Sequence, residues 1–100
     1  MKKFKTVFNR PNTSIAFPAT MDGAVVAHVQ ANYTQSDPVK LVGMSSEISD
    51  DLLSLIITRT FATDADALAF SQDPVIVAWQ ASQAETFAGT GVVRESGLSD

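Results

Sequence analysis

The chain has 100 residues and a net charge of −4, from seven Lys and Arg against eleven Asp and Glu. That length makes one domain with one two-layer core, burying roughly 60–70% of the unfolded surface. Hydrophobic residues are 45% and charged residues 18% of the chain, the latter below the roughly 25% usual for a soluble domain, which argues against a disordered chain and points to apolar surface that a partner subunit would cover.

Residues 3–9, KFKTVFN, alternate and predict a strand with Phe4, Thr6 and Phe8 on the core side. Arg10-Pro11-Asn12 ends it, since Pro cannot continue a ladder. Residues 13–18 read as an extended connector whose Ile15 and Phe17 cover one end of the core. Residues 20–35 are ambiguous. Ala27 to Gln35 alternate as a strand does, yet Val25, Val29 and Tyr33 recur at i, i+4 and i+8, a helix stripe. Thr20 is the candidate N-cap and Asp22 suits the first turn; Gly23 and the β-branched residues oppose a helix.

Gln35 to Pro38 is a turn. Residues 40–48 predict a strand with Val42, Met44 and Ile48 on one face and Gly43 at a bulge. The polar turn Ser49-Asp50-Asp51 leads to a second strand over 52–62, so the two form a hairpin. Leu53, Leu55, Ile57 and Phe61 share one face; Leu52, Ile56, Thr58 and Thr60 share the other. Apolar residues on both faces predict a central strand covered on both sides. Thr63 with Asp66 resembles a capping box, and the helix to Gln72 is expected to bury Leu68 with Ala69 or Ala65. Asp73 as N-cap and Pro74 at the first helical position restart a helix. Ile76, Trp79, Gln83 and Phe87 form one stripe along it; Val77, Ala81, Ala84 and Ala88 form the next. Gly89 or Gly91 ends it. Residues 91–96 predict a last strand and residues 97–100 a tail.

Topology decides the ambiguous segment. With residues 20–35 helical, the order is strand, helix, strand, strand, helix, strand: an α+β, ferredoxin-like βαββαβ fold. It is expected to place helices on one face of a four-stranded antiparallel sheet and to leave the other face for a two-fold dimer. With residues 20–35 extended, the chain is a β-meander with one helical pair and less cover for its sheet.

The stretch LLSLIITRTFATDADALAFSQDP, Leu52 to Pro74, resembles the dimeric α+β barrel group, to which the antibiotic-biosynthesis monooxygenase-like domains belong. AHVQANY, Ala27 to Tyr33, is similar to a segment ahead of the hairpin in small uncharacterised ferredoxin-like proteins of marine phage and metagenome origin. The resemblance covers residues 24–96 and implies a sheet-to-sheet dimer with a pocket between sheet and helices. In the enzymes of the group such pockets use polar residues including Asn, Trp and His; Trp79 and His28 are the matching residue types here, without a full set.

The candidate chemistry is sparse. With no cysteine in the chain, disulfides, thiolate metal sites and a cysteine nucleophile are excluded. His28 is the one histidine and has no carboxylate spaced to share a metal. Asp64, Asp66 and Asp73 read as helix caps, and Asp50 and Asp51 as turn residues. Arg59 falls among core-facing positions, placed to snorkel past the sheet end or to pair with Glu47 across the hairpin. Arg59, His28, Tyr33 and Trp79 are therefore the ligand-pocket candidates; no catalytic residue, metal or cofactor is assigned. The acidic balance, with its one basic cluster at Lys2, Lys3 and Lys5, speaks against nucleic acid. No apolar run approaches the roughly 18 residues of a membrane span, and the start MKKFKTVFNRPN lacks a signal-peptide core, so a cytoplasmic location is expected, the host cytoplasm if the protein is viral. The leading reading is a non-enzymatic homodimeric ferredoxin-like protein, virus-encoded on the phage resemblance. The alternative is a small-molecule binder or cofactor-independent monooxygenase-like enzyme, with a pocket lined by Trp79, Tyr33, His28 and Phe17.

Overall fold

Strand β1 spans Lys3–Asn9 and realises its alternation: Phe4, Thr6 and Phe8 are buried and Lys5 is exposed. The computed structural model describes residues 2–17 and 22–99; the expected Thr20 cap, the Pro18 end of the connector and Asp100 lie outside the described residues. The connector after β1 turns rather than extends, because the Asn12 side chain accepts from both the backbone N–H and the hydroxyl of Ser14, a local bond that competes with extended backbone. Arg10 ties this corner together. Its guanidinium donates to the Leu52 carbonyl at 2.9 and 2.6 Å and to the Ile15 carbonyl at 2.8 Å, and it lies 4.1 Å over the Phe17 ring.

From Gly23 to Thr34 the ambiguous segment is helical. Asp22, not a first-turn residue, is the N-cap, its carboxylate accepting from Ala24 N–H. Helix α1 spans Gly23–Val29 and runs on as a π-helical stretch, Gln30–Thr34, closed by Gln35 N–H on the Gln30 carbonyl. The stripe prevails over local propensity because Val25, Val29 and Tyr33 are all buried, and burying three large side chains outweighs the fraction of a kcal/mol that each β-branched residue costs in a helix.

Strands β2 (Leu41–Ile48) and β3 (Ser54–Phe61) form the hairpin. Its turn is held by Asp51, which accepts from the Ser49 hydroxyl and Leu53 N–H. Helix α2 (Asp64–Gln72) starts at Thr63, whose hydroxyl accepts from Asp66 N–H, and α3 (Pro74–Phe87) starts at Asp73, whose carboxylate accepts from Val75 N–H. Helix α2 buries Ala67 and Phe70, while Leu68 stands 45% exposed and Ala65 and Ala69 are also exposed. The cap fixes its phase so that Phe70 packs edge-on against Phe4 and Tyr33 and tilted against Phe61. On α3 the Ile76, Trp79, Gln83 and Phe87 stripe faces inward and the Val77, Ala81, Ala84 and Ala88 stripe outward. Gly89 follows the helix at φ 86°, a left-handed position suited to glycine. Gly91 shares that φ, and a Cβ there would stand 2.9 Å from Pro11 Cγ.

Strand β4 spans Val93–Ser99. Residues 97–99 of the expected tail are strand, because all seven residues of β1 find partners in β4, from Lys3 with Ser99 to Asn9 with Val93. The four strands form one antiparallel sheet in the order β2-β3-β1-β4. The helices pack on the face carrying Phe4, Phe8, Leu55 and Phe61. The core has two parts, one around Phe4, Phe61, Phe70, Tyr33 and Ile76, the other around Phe8, Leu55 and Phe87 with Phe17 at its edge.

Candidate functional site

The hairpin register decides what faces the helices. Met44 pairs with Arg59, Ser46 with Ile57 and Ile48 with Leu55, so these side chains share the helix side of the sheet. The register shift at Leu41 and Gly43 adds Val42 to the same rim. Val42, Met44 and Ile48, expected on one face, are 57%, 66% and 53% exposed. Between β2 and the helical segment lies an open groove of about 600 Å³. Val26, Val29, Gln30 and Thr34 form its helical wall, Leu41 to Met44 and Ser46 its outer rim, and Leu55, Ile57 and Arg59 its floor. The π-helical turn, a feature found most often at functional sites, contributes Gln30 and Thr34.

Arg59 is 7% exposed. Its guanidinium carbon stands 5.6 Å from the centre of the Phe70 ring, and burial lowers its pKa from the ordinary value. Glu47 pairs with Ile56 on the opposite face of the sheet, so the expected Arg59–Glu47 pair does not form: one residue of register separates the two faces. Arg59 does not snorkel past the sheet end either.

His28 and Tyr33 meet elsewhere, at the junction of α2 and α3. His28 Nε2 and the Tyr33 hydroxyl each lie 2.7 Å from Asp73 Oδ2. Asn32 Nδ2 lies 3.3 Å from His28 Nδ1 and 2.9 Å from the His28 carbonyl. An amide donor on Nδ1 puts the imidazole proton on Nε2, donating to Asp73. Burial disfavours the charged Asp73 carboxylate, but the bonds from His28, Tyr33 and Val75 N–H outweigh it and hold its pKa below the usual value. Burial, and next the bond to Asp73, push the Tyr33 hydroxyl pKa up. Both imidazole nitrogens are engaged, so His28 has no free lone pair with which to take a proton from a substrate. The cluster is a staple from the helical segment to the start of α3.

Trp79 lines a separate shallow depression with Val25, Val75 and Ala78. Phe17 packs at the edge of the second core cluster. The structure therefore gathers His28 and Tyr33 around Asp73, sets Arg59 in the groove, and leaves Trp79 and Phe17 apart; the four residues Trp79, Tyr33, His28 and Phe17 do not line one pocket. The sequence does not mark Val26, on α1, as a groove residue; for Val42 and Met44 the signal is a run of apolar residues on one strand. Among the described residues no three of His, Asp or Glu come together to hold a metal ion, and no helix is long and apolar enough to cross a membrane. No family model matches the chain, and neither the curated proteins nor the solved structures searched give a match.

Proposed function

We propose that this is a ferredoxin-like βαββαβ domain that binds a small apolar molecule in the groove between the helical segment and β2–β3. The observation that carries the reading is the groove itself. Its volume, about 600 Å³, falls within the roughly 300–1,000 Å³ of small-molecule sites. Its walls are mostly aliphatic, with the few polar groups of Gln30, Thr34, Ser46 and Arg59 set among them. Among the described residues the lining holds no carboxylate or imidazole to act as a general base, which favours binding over the monooxygenase-like chemistry of the resemblance.

A neutral fluorescent probe such as N-phenyl-1-naphthylamine tests the reading. It should bind saturably with enhanced emission, and Val42→Asp or Met44→Asp should weaken it about tenfold by bringing a carboxylate into apolar contact. Both positions are more than half exposed, so the fold should tolerate either change. Emission that does not saturate, or that neither substitution alters, overturns the reading.

We also propose a homodimer through the outer face of the sheet. The support is a row of paired residues there, Glu47–Ile56–Val7–Glu95, next to one carrying Lys5 and beyond it one carrying Lys3. Two copies related by a two-fold axis can set acid row against lysine row.

A further inference from the structure

Arg59 is out of place in its surroundings. A guanidinium has five N–H donors and no acceptor, and it stays charged. Here it is 7% exposed on the floor of a groove whose neighbouring residues include Val29, Leu41 and Ile57. Among the described residues none accepts a hydrogen bond from it, and its guanidinium lies over the ring of Phe70. Glu47, the acid closest to it along the hairpin, lies on the other side of the sheet. Asp73 is taken up by His28, Tyr33 and the cap of α3. A buried charge is normally kept only with a counter-charge; here no guanidinium nitrogen is both sealed from solvent and unpaired, so its donors open onto the floor of the groove.

We propose that Arg59 anchors the carboxylate of an apolar monocarboxylic acid whose hydrocarbon part lies along Val26, Val29, Val42 and Met44. This rests on the reading of the groove as a small-molecule site. The planar guanidinium fork matches a carboxylate with two parallel hydrogen bonds. One cation in an otherwise uncharged lining neutralises one negative charge; a phosphate dianion would carry a second charge into aliphatic surroundings. Gln30, Thr34 and Ser46 supply neutral polar contacts at the rim, and the exposed aliphatic side chains of β2 gain cover when the chain of the acid is seated.

Calorimetric titration of the full chain with decanoate and with decanol, at neutral pH, separates head from tail. Wild type should bind decanoate about 10- to 100-fold more tightly than decanol, the range expected of a charge-assisted hydrogen bond. Arg59→Met, shown folded by circular dichroism, should bind the two alike, and Arg59→Lys, a point charge without the fork, should fall between. Equal affinities in wild type overturn the carboxylate assignment and leave the groove reading standing. Binding of neither compound overturns both. A preference for decanoate that persists in Arg59→Met, or in Arg59→Lys at the full wild-type level should Arg59→Met not fold, removes Arg59 from the role.

Discussion

Arg59 keeps its charge on the floor of an open groove, mostly buried and with no described acid beside it. Full burial of an uncompensated ion costs several kcal/mol; the opening onto the groove relieves part of that, and the Phe70 ring at 5.6 Å returns about 1–2 kcal/mol. Replacing the side chain with one of similar length and no charge should therefore stabilise the ligand-free protein. Arg59→Met should raise unfolding stability by about 1–2 kcal/mol, read as a higher urea midpoint at unchanged slope; a lower midpoint would mean that the guanidinium is compensated in the free protein. Stability and binding are predicted to move in opposite directions at this residue, as is common where a site is held strained for its ligand. The inward direction of Arg59 was legible from the alternation Leu55, Ile57, Arg59, Phe61. Its lack of an acid was not, because whether Glu47 shares its face depends on a register set by the hairpin turn and by the shift at Leu41 and Gly43, and alternation within one strand carries no information about its neighbour's register.

Among the elements, Asp73 does the most with one side chain. It caps α3 through Oδ1 and holds the far end of the helical segment through Oδ2, where His28 and Tyr33 converge. Its loss should thus be felt in both helices: Asp73→Ala should cost about 2–4 kcal/mol, a cap and two charge-assisted bonds together, and Tyr33→Phe about 1–2 kcal/mol. The same bonds set a pH dependence. The folded-state pKa of Asp73 lies below its ordinary 3.8, so the folded state binds fewer protons there than the unfolded one. The stability this gives is fully present above 3.8 and is lost as pH falls through the lower folded value. Acid denaturation followed by tryptophan fluorescence should show a smaller contribution over that window in Asp73→Asn; an unchanged profile would mean that the carboxylate is not held in its charged form. The caps at Thr63 and Asp73 were legible because a cap is a local pattern of three or four residues. The partners of Asp73 were not, being 45 and 40 residues away in the chain. Helix α2 shows the converse: its existence was plain, but its phase was not, since Leu68 and Phe70 compete for the core and the aromatic cluster of Phe4, Tyr33 and Phe61 takes Phe70.

For the whole molecule, two apolar surfaces compete to explain a low charged fraction, one half-buried and one exposed, and they lie on opposite faces of the sheet. The outer face offers Val7 and Ile56, paired across β1 and β3, within a field of Lys3, Lys5, Glu47 and Glu95. The helix side offers Val42, Met44 and Ile48 on an edge strand, with Glu47 as the one charged side chain between Leu41 and Ile48, so the strand has little of the charge that usually protects an edge. The proposed outer-face dimer therefore makes an asymmetric prediction. Sedimentation at micromolar concentration should show twice the 10.7 kDa chain mass, and Ile56→Lys should return the monomer while Met44→Lys leaves the dimer intact. Because the contact sets rows of opposite charge against each other, dimerisation should weaken as salt rises and the charges are screened. A species of monomer mass at every concentration removes the dimer. Dissociation by Met44→Lys but not by Ile56→Lys would move the contact to β2, where a second copy would lie across the rim of the groove; access for a small molecule would then depend on subunit exchange, and ligand affinity would fall as protein concentration rose. Measuring binding at two protein concentrations thus distinguishes a groove that is always open from one that a second chain closes.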